Sequence, residues 1–314
     1  MESEMASTDR PFRVKMVYHP KIHVPSLAEA EDFYARVFGR PSTNFSVVMP
    51  NPPAPGHSVG YSTFTAIGDV LIDNLEPRLY LTGGVQRYPD VESPHLKAIG
   101  WYVEGVKELY RDLRARGFRL VDSRDQILEA DEWAGGPSPF HTFEADAGMR
   151  YDFFEVFPFP LDPRVNEGWT IPPVSDDDPL GIEHASHHTI LTSQPERALE
   201  LTVDVLGAEV IHTGRDDLRG VSGPYVRLAD AVFHFATPEP GSAAAADASD
   251  NEPLDTYHAI TWKVVDLERA ARHLESEGLR IAHRSDTALV TDPVSSLGVP
   301  WGFTTVSVSG GDVR

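Results

Sequence analysis

The stretch from Tyr18 to Gly39 returns in altered form over 187–207. His19 corresponds to His187, Ala30 to Ala198, Phe33 to Leu201, Val37 to Val205 and Gly39 to Gly207, each pair 168 residues apart. One offset held through a strand, a helix and a glycine stop marks an internal duplication, so the chain is built from copies of one unit. In the first copy Ser26 and Glu29 form a capping box ahead of Ala30, Phe33, Tyr34 and Val37 at helical spacing, and Gly39 ends the helix. Ser193 and Glu196 are the corresponding capping pair of the second copy.

Between the copies the pattern predicts strands at 61–67 and 70–75, split by Gly68-Asp69. A second cycle runs from Leu96 to Val103 into a helix bearing Val106, Leu109, Tyr110 and Leu113, stopped by Gly117, with further strands at 119–122 and 149–157. The third cycle starts at His187 and includes a hairpin, 225–228 and 231–236, around Ala229-Asp230. The fourth starts at His258 and passes through Trp262 and Val264 into a helix capped by Asp266 and stopped by Gly278. Asp69 maps to Asp230 and Trp101 to Trp262, both at an offset of 161. The expected organisation is a disordered tail at 1–12, a first domain at 13–158, a proline-rich connector at 159–183 and a second domain at 184–309. The Ala-, Asp- and Ser-rich segment 238–255 reads as a flexible surface loop.

Composition narrows the chemistry. With no Cys among 314 residues, disulfides, thiolate nucleophiles and zinc ribbons are excluded, and any metal must be held by His, Asp or Glu. A formal net charge of −21 and the lack of a Lys/Arg run argue against nucleic acid as a partner. No apolar run long enough to span a bilayer and no secretory signal is visible, so a cytoplasmic protein acting on a small molecule, without membrane or nucleic acid, is expected. A homodimer is left open.

Four such cycles in this order, from about residue 18 to 308, resemble the vicinal oxygen chelate superfamily: glyoxalase I, the bleomycin and fosfomycin resistance proteins and the extradiol dioxygenases. The resemblance implies an α+β fold of four βαβββ modules paired into two glyoxalase-like domains. It also implies a divalent metal, Fe(II), Mn, Zn or Ni, held by the first and last strands of the modules. Carried over by position, His19 takes the first-strand ligand place, Asp73 ends the first module, and Asp152, four residues after Gly148, ends the second, where the family usually has Glu. The remaining place falls on Ala98, with His95 close by. In the second domain His187 takes the first-strand place, His234 matches Asp73, His258 lies one residue before Ala259, and Gly302 stands where Asp152 would have its counterpart. Tyr257 beside His258 is a candidate acid/base group, and the aromatic residues around Asp152 are candidates for a pocket wall.

Thirteen His make chance matches easy, but a charge inside an apolar run, as at Asp73 and Asp152, costs several kcal/mol unless paired. The implied function is a metal-dependent enzyme acting on a small oxygenated, aromatic molecule, by extradiol-type ring cleavage or a glyoxalase-like lyase or isomerase reaction. The alternative is a metal-free binding protein of the bleomycin-resistance type.

Overall fold

The computed structural model describes residues 10–52, 55–135, 139–155 and 162–311. Residues 1–9 of the expected tail, and 156–161 at the end of the first domain and start of the connector, lie outside the described residues. The strands of the first half are β1 (Arg13–His23), β2 (Ser42–Asn44), β3 (Ser62–Ile67), β4 (Val70–Leu75), a small hairpin of β5 (Leu81–Thr82) and β6 (Val85–Gln86), β7 (His95–Glu104), β8 (Leu120–Val121), β9 (Phe140–Thr142) and β10 (Arg150–Glu155). Those of the second half are β11 (Ile182–Leu191), β12 (Glu209–Asp216), β13 (Val221–Leu228), β14 (Ala231–Pro238), β15 (Thr256–Val264), β16 (Ile281–Arg284), β17 (Ala288–Thr291) and β18 (Gly302–Thr304).

They form two eight-stranded sheets of the same topology, β2-β3-β4-β1-β7-β10-β9-β8 and β12-β13-β14-β11-β15-β18-β17-β16. Each sheet is two βαβββ modules joined edge to edge through their antiparallel first strands, β1 with β7 and β11 with β15. The fold is therefore α+β with four modules in two glyoxalase-like domains. The module helices supply one apolar face each; in Leu27–Val37 the buried residues are Leu27, Ala30, Phe33, Tyr34 and Val37. One continuous core joins the halves, with Phe38 against Trp262 and Trp301 and Trp101 against Phe233.

The halves also grip each other through a reciprocal pair of hydrogen bonds. Asp69, in the turn between β3 and β4, accepts the Ala185 amide of β11 at 2.7 Å, and Asp230, in the turn between β13 and β14, accepts the Val17 amide of β1 at 2.8 Å. Ala185 and Val17 are themselves a duplicate pair, and each sits where its strand shifts register against its neighbour. A bulge leaves a strand amide without a ladder partner. Here the other domain supplies the acceptor, fixing the bulge next to His19 and next to His187. Arg164 braces the first bulge by donating to the Val17, Tyr18 and Asp69 carbonyls.

Two local expectations are corrected. The helix after β11 starts at Pro195 with Gln194 as N-cap and no side-chain cap bond, and it continues as a π-helical turn over Glu200–Val205, so Ser193 and Glu196 form no capping box. The segment 238–255 contains a helix, Ala243–Ser249, whose N-cap Ser242 accepts the Ala245 amide. Four successive Ala after a good N-cap outweigh the loop-like composition. No helix among the described residues is long and apolar enough to cross a membrane.

Candidate functional site

The strand register of the first sheet places the site. One row runs from Asp73 on β4 through Lys21 on β1 and Ala98 on β7 to Arg150 on β10. The next row runs from His19 through Gly100 to Asp152 and on to His141 of β9. Residues two apart on a strand share a face, so both rows converge on the concave side, and the bulge after Val17 turns Tyr18 and His19 toward it together. Gly100 permits the packing, because a Cβ there would lie 3.1 Å from Cε1 of His19.

The result is an open cup lined by Lys21, His19, Asp73, Asp152, His141 and Arg150 below aromatic walls. Tyr18 packs against Phe154 at 5.0 Å between ring centres, and Phe64 and Phe154 lie 6.0 and 5.8 Å from the His19 ring. Nearer the mouth Tyr61 stacks on Tyr80 at 4.0 Å, and Tyr88 lies 4.8 Å from His23.

Asp152 is the hub. Its Oδ2 accepts from Lys21 Nζ at 2.9 Å, and its Oδ1 from Arg150 Nε at 3.1 Å and His141 Nδ1 at 2.5 Å. A carboxylate only accepts, so His141 carries its proton on Nδ1. Arg150 also donates to Asp125 at 2.6 Å, and Arg87 binds the same carboxylate. Burial works against the Asp152 charge, but Lys21, His141 and Arg150 outweigh it and hold the carboxyl well below its ordinary range. Burial likewise opposes the Lys21 charge and is overcome by Asp152, Tyr88 and Asp73. Asp73 is different: burial pushes it up to about 6, with Lys21 and the Ser62 hydroxyl only partly offsetting. His19 is lowered to about 3 by burial and then by Lys21, so it is neutral at pH 7.

The structure brings His19, Asp73 and Asp152 together in this cup and His187 and His234 together in the second domain, with ring centres 6.2 Å apart. It separates the others. His95 lies at the exposed start of β7, 5.7 Å from His23. His258 binds Asp247 through Nδ1 at 2.5 Å and shares a different cleft with His95. Tyr257 is tied to His188 Nδ1 at 2.5 Å, and burial pushes its phenol well up. Tyr257 and His258, neighbours on one strand, thus bond to different partners.

In the second domain the positions equivalent to Asp73, Lys21, Arg150, Asp152 and His141 are His234, Thr189, Pro300, Gly302 and Val290. Arg219 fills the gap: a Cβ on Gly302 would come within 2.5 Å of its Nη2, which donates to the Pro300 carbonyl, while Nη1 binds Asp216. Tyr225 stacks on His234 at 3.9 Å.

Among the described residues no three His, Asp or Glu side chains converge as a metal set. In the first cup Ala98 brings no donor, and Lys21, Arg150 and His141 already occupy the oxygens of Asp152. Sequence reasoning missed Lys21, His141 and Arg150. The signal available for two of them was parity, since Lys21 lies two residues after His19 and Arg150 two before Asp152.

The sequence matches no family profile and no curated protein. The fold is nevertheless shared with solved structures. A triple mutant of 4-hydroxymandelate synthase from Streptomyces coelicolor aligns with a TM-score of 0.61 at 10% identity, covering 96% of both chains. The 2,3-dioxygenase LapB from Pseudomonas sp. KL28 aligns at 0.56 and 13%, covering 94% of this chain and 92% of its own. A Mn(II)-bound glyoxalase from Novosphingobium aromaticivorans aligns at 0.55 and 12%, covering 96% and 86%.

Proposed function

Starting from a chain with the two-domain fold of the vicinal oxygen chelate superfamily, we propose an enzyme acting on a small oxygenated, aromatic molecule in the cup of the first domain. The reaction is of the isomerase or lyase type, moving a proton next to an oxygen-bearing carbon, and not a ring opening. One observation carries this reading: a single cavity unites the carboxyl of Asp73, whose Oδ1 has no partner, with charged polar groups and ring-sized aromatic walls. A carboxyl with its affinity for protons raised toward neutrality is suited to take and return a proton. The aromatic walls hold a planar ring and exclude water. Ring cleavage by a two-His, one-carboxylate iron centre finds no such set among the described residues.

Proton exchange tests the proposal. Hydroxy- and oxo-substituted aromatic acids incubated with the protein in deuterated water should gain deuterium beside the oxygenated carbon, and Asp73→Asn should abolish the exchange. Oxygen uptake with a catechol panel would instead identify a dioxygenase. A second reading, a divalent ion taken up by His19 and Asp73 beside Asp152, is favoured by the buried and unpartnered His19 Nδ1 and Asp73 Oδ1. It requires Lys21 to move aside, and metal analysis of tag-free protein decides it.

A further inference from the structure

The polar floor of the cup contains one group whose place is unusual. Lys21 points inward from β1 with its side chain only 10% exposed, in a row whose next strand carries Ala98. The small Ala98 side chain leaves room for the lysine stem, and Asp152 receives its ammonium from the neighbouring row. An ammonium has three N–H donors. Among the described residues one of them goes to Asp152, and no other hydrogen bond of Nζ is formed.

We propose that the Lys21 ammonium is the resident cation of this cup, standing in the stead of a metal, and that it takes the anionic oxygen of an aromatic carboxylate or phenolate. The inference rests on the first cup being the ligand site. Lys21, Arg87 and Arg150 face two firmly ionised carboxylates, Asp125 and Asp152, which leaves a positive surplus before the weaker acid Asp73 is counted. With Asp73, raised only to about 6, ionised at pH 7 the floor is balanced, so the preference for an anion rests on the free donors of Lys21 Nζ and strengthens as Asp73 takes up its proton. The aromatic walls set the rest of the ligand, and the unused donors of Nζ point to an oxygen acceptor. Displacing Lys21 with a metal would leave a buried ammonium without its carboxylate, so anion binding and metal loading exclude each other at this site. The second domain lacks the arrangement, with Thr189 at the lysine position and Gly302 at that of the aspartate.

Calorimetry with benzoate and salicylate, and with neutral benzamide as control, tests this on the full chain. In EDTA the wild type should bind both anions and not benzamide. Lys21→Met should weaken anion binding at least about tenfold, the scale of one charged hydrogen bond. Lys21→Arg, which keeps the charge and the bond to Asp152, should retain most of it and guards against a folding defect in the methionine variant. Failure of the wild type to bind either anion, equal binding by Lys21→Met, or a requirement for added Mn(II) or Zn(II) would overturn the inference. Anion binding that needs Lys21, without deuterium exchange, removes the enzymatic reading and leaves this one standing. Exchange that depends on a metal does the reverse.

Discussion

The two domains are duplicates in register and opposites in chemistry. At equivalent positions the first cup carries Asp73, Lys21, Arg150, Asp152 and His141, and the second carries His234, Thr189, Pro300, Gly302 and Val290. The backbone repeats because each helix must cover a sheet and each sheet must be completed by a second module; the side chains facing the concavity are free of that constraint. In the first domain they keep an open, charged cavity. In the second, Arg219 enters the vacated place and Tyr225 stacks on His234, so the concavity is occupied by the protein's own side chains. A retained histidine, His19 or His187, is therefore no guide to which cup binds a ligand; the partners around it decide.

The strongest way to break this contrast is to remove the hub. Asp152→Ala leaves Lys21 and Arg150 buried without their shared carboxylate and should cost about 3 to 5 kcal/mol in chemical denaturation. At the matching place in the second domain Gly302→Asp should also destabilise, for a different reason: its Cβ would lie 2.5 Å from Arg219 and Thr261. Equal tolerance of Asp152→Ala and a surface substitution would show that the network does not matter.

The reciprocal clamps give the next largest effect, and it depends on pH. Burial raises Asp230 to about 7, with the Val17 amide and Arg164 only partly offsetting and Asp69 adding to the rise. An unfolded Asp titrates near 3.9. The folded state thus holds the proton more tightly, and the contribution of this group to stability is complete below about pH 4 and is lost as pH rises toward 7. Asp230→Asn should flatten that part of the thermal stability profile, raising the melting temperature at pH 8 relative to wild type, since its carbonyl still accepts the Val17 amide. A wild-type profile without any fall between pH 4 and 7 that Asp230→Asn removes would contradict this.

Smaller still is the difference between the duplicated helix starts. Ser26 accepts the Glu29 amide, whereas the helix at Pro195 has no side-chain cap. Ser26→Ala should cost about 1 kcal/mol in denaturant unfolding, and Ser193→Ala should cost nothing measurable. Comparable losses would restore the capping box expected at Ser193.

Much of the scaffold is legible in the sequence because strand and helix periodicities act over short distances. The offset of 168 aligns His19 with His187, and the structure puts both beside equivalent residues, Gly100 and Thr261. The gaps at Ala98 and Gly302 are legible in the same way. The cup's working charge is not. Lys21 in a strand reads as a solvent-facing residue, and only Asp152, 131 residues away, accounts for its burial. His141 sits on a three-residue strand with no periodicity to reveal it. Asp69 and Asp230 read as turn chemistry, and their bonds to the opposite domain belong to the packing of the two halves and not to either turn.

On this proposal the first cup works with a lysine in place of a metal ion. Metal analysis of tag-free protein, dialysed against Mn(II), Zn(II) and Fe(II) in turn and compared with Asp152→Asn, tests it most directly. No stoichiometric ion is expected in either protein. One ion bound per wild-type chain and lost in Asp152→Asn would contradict it.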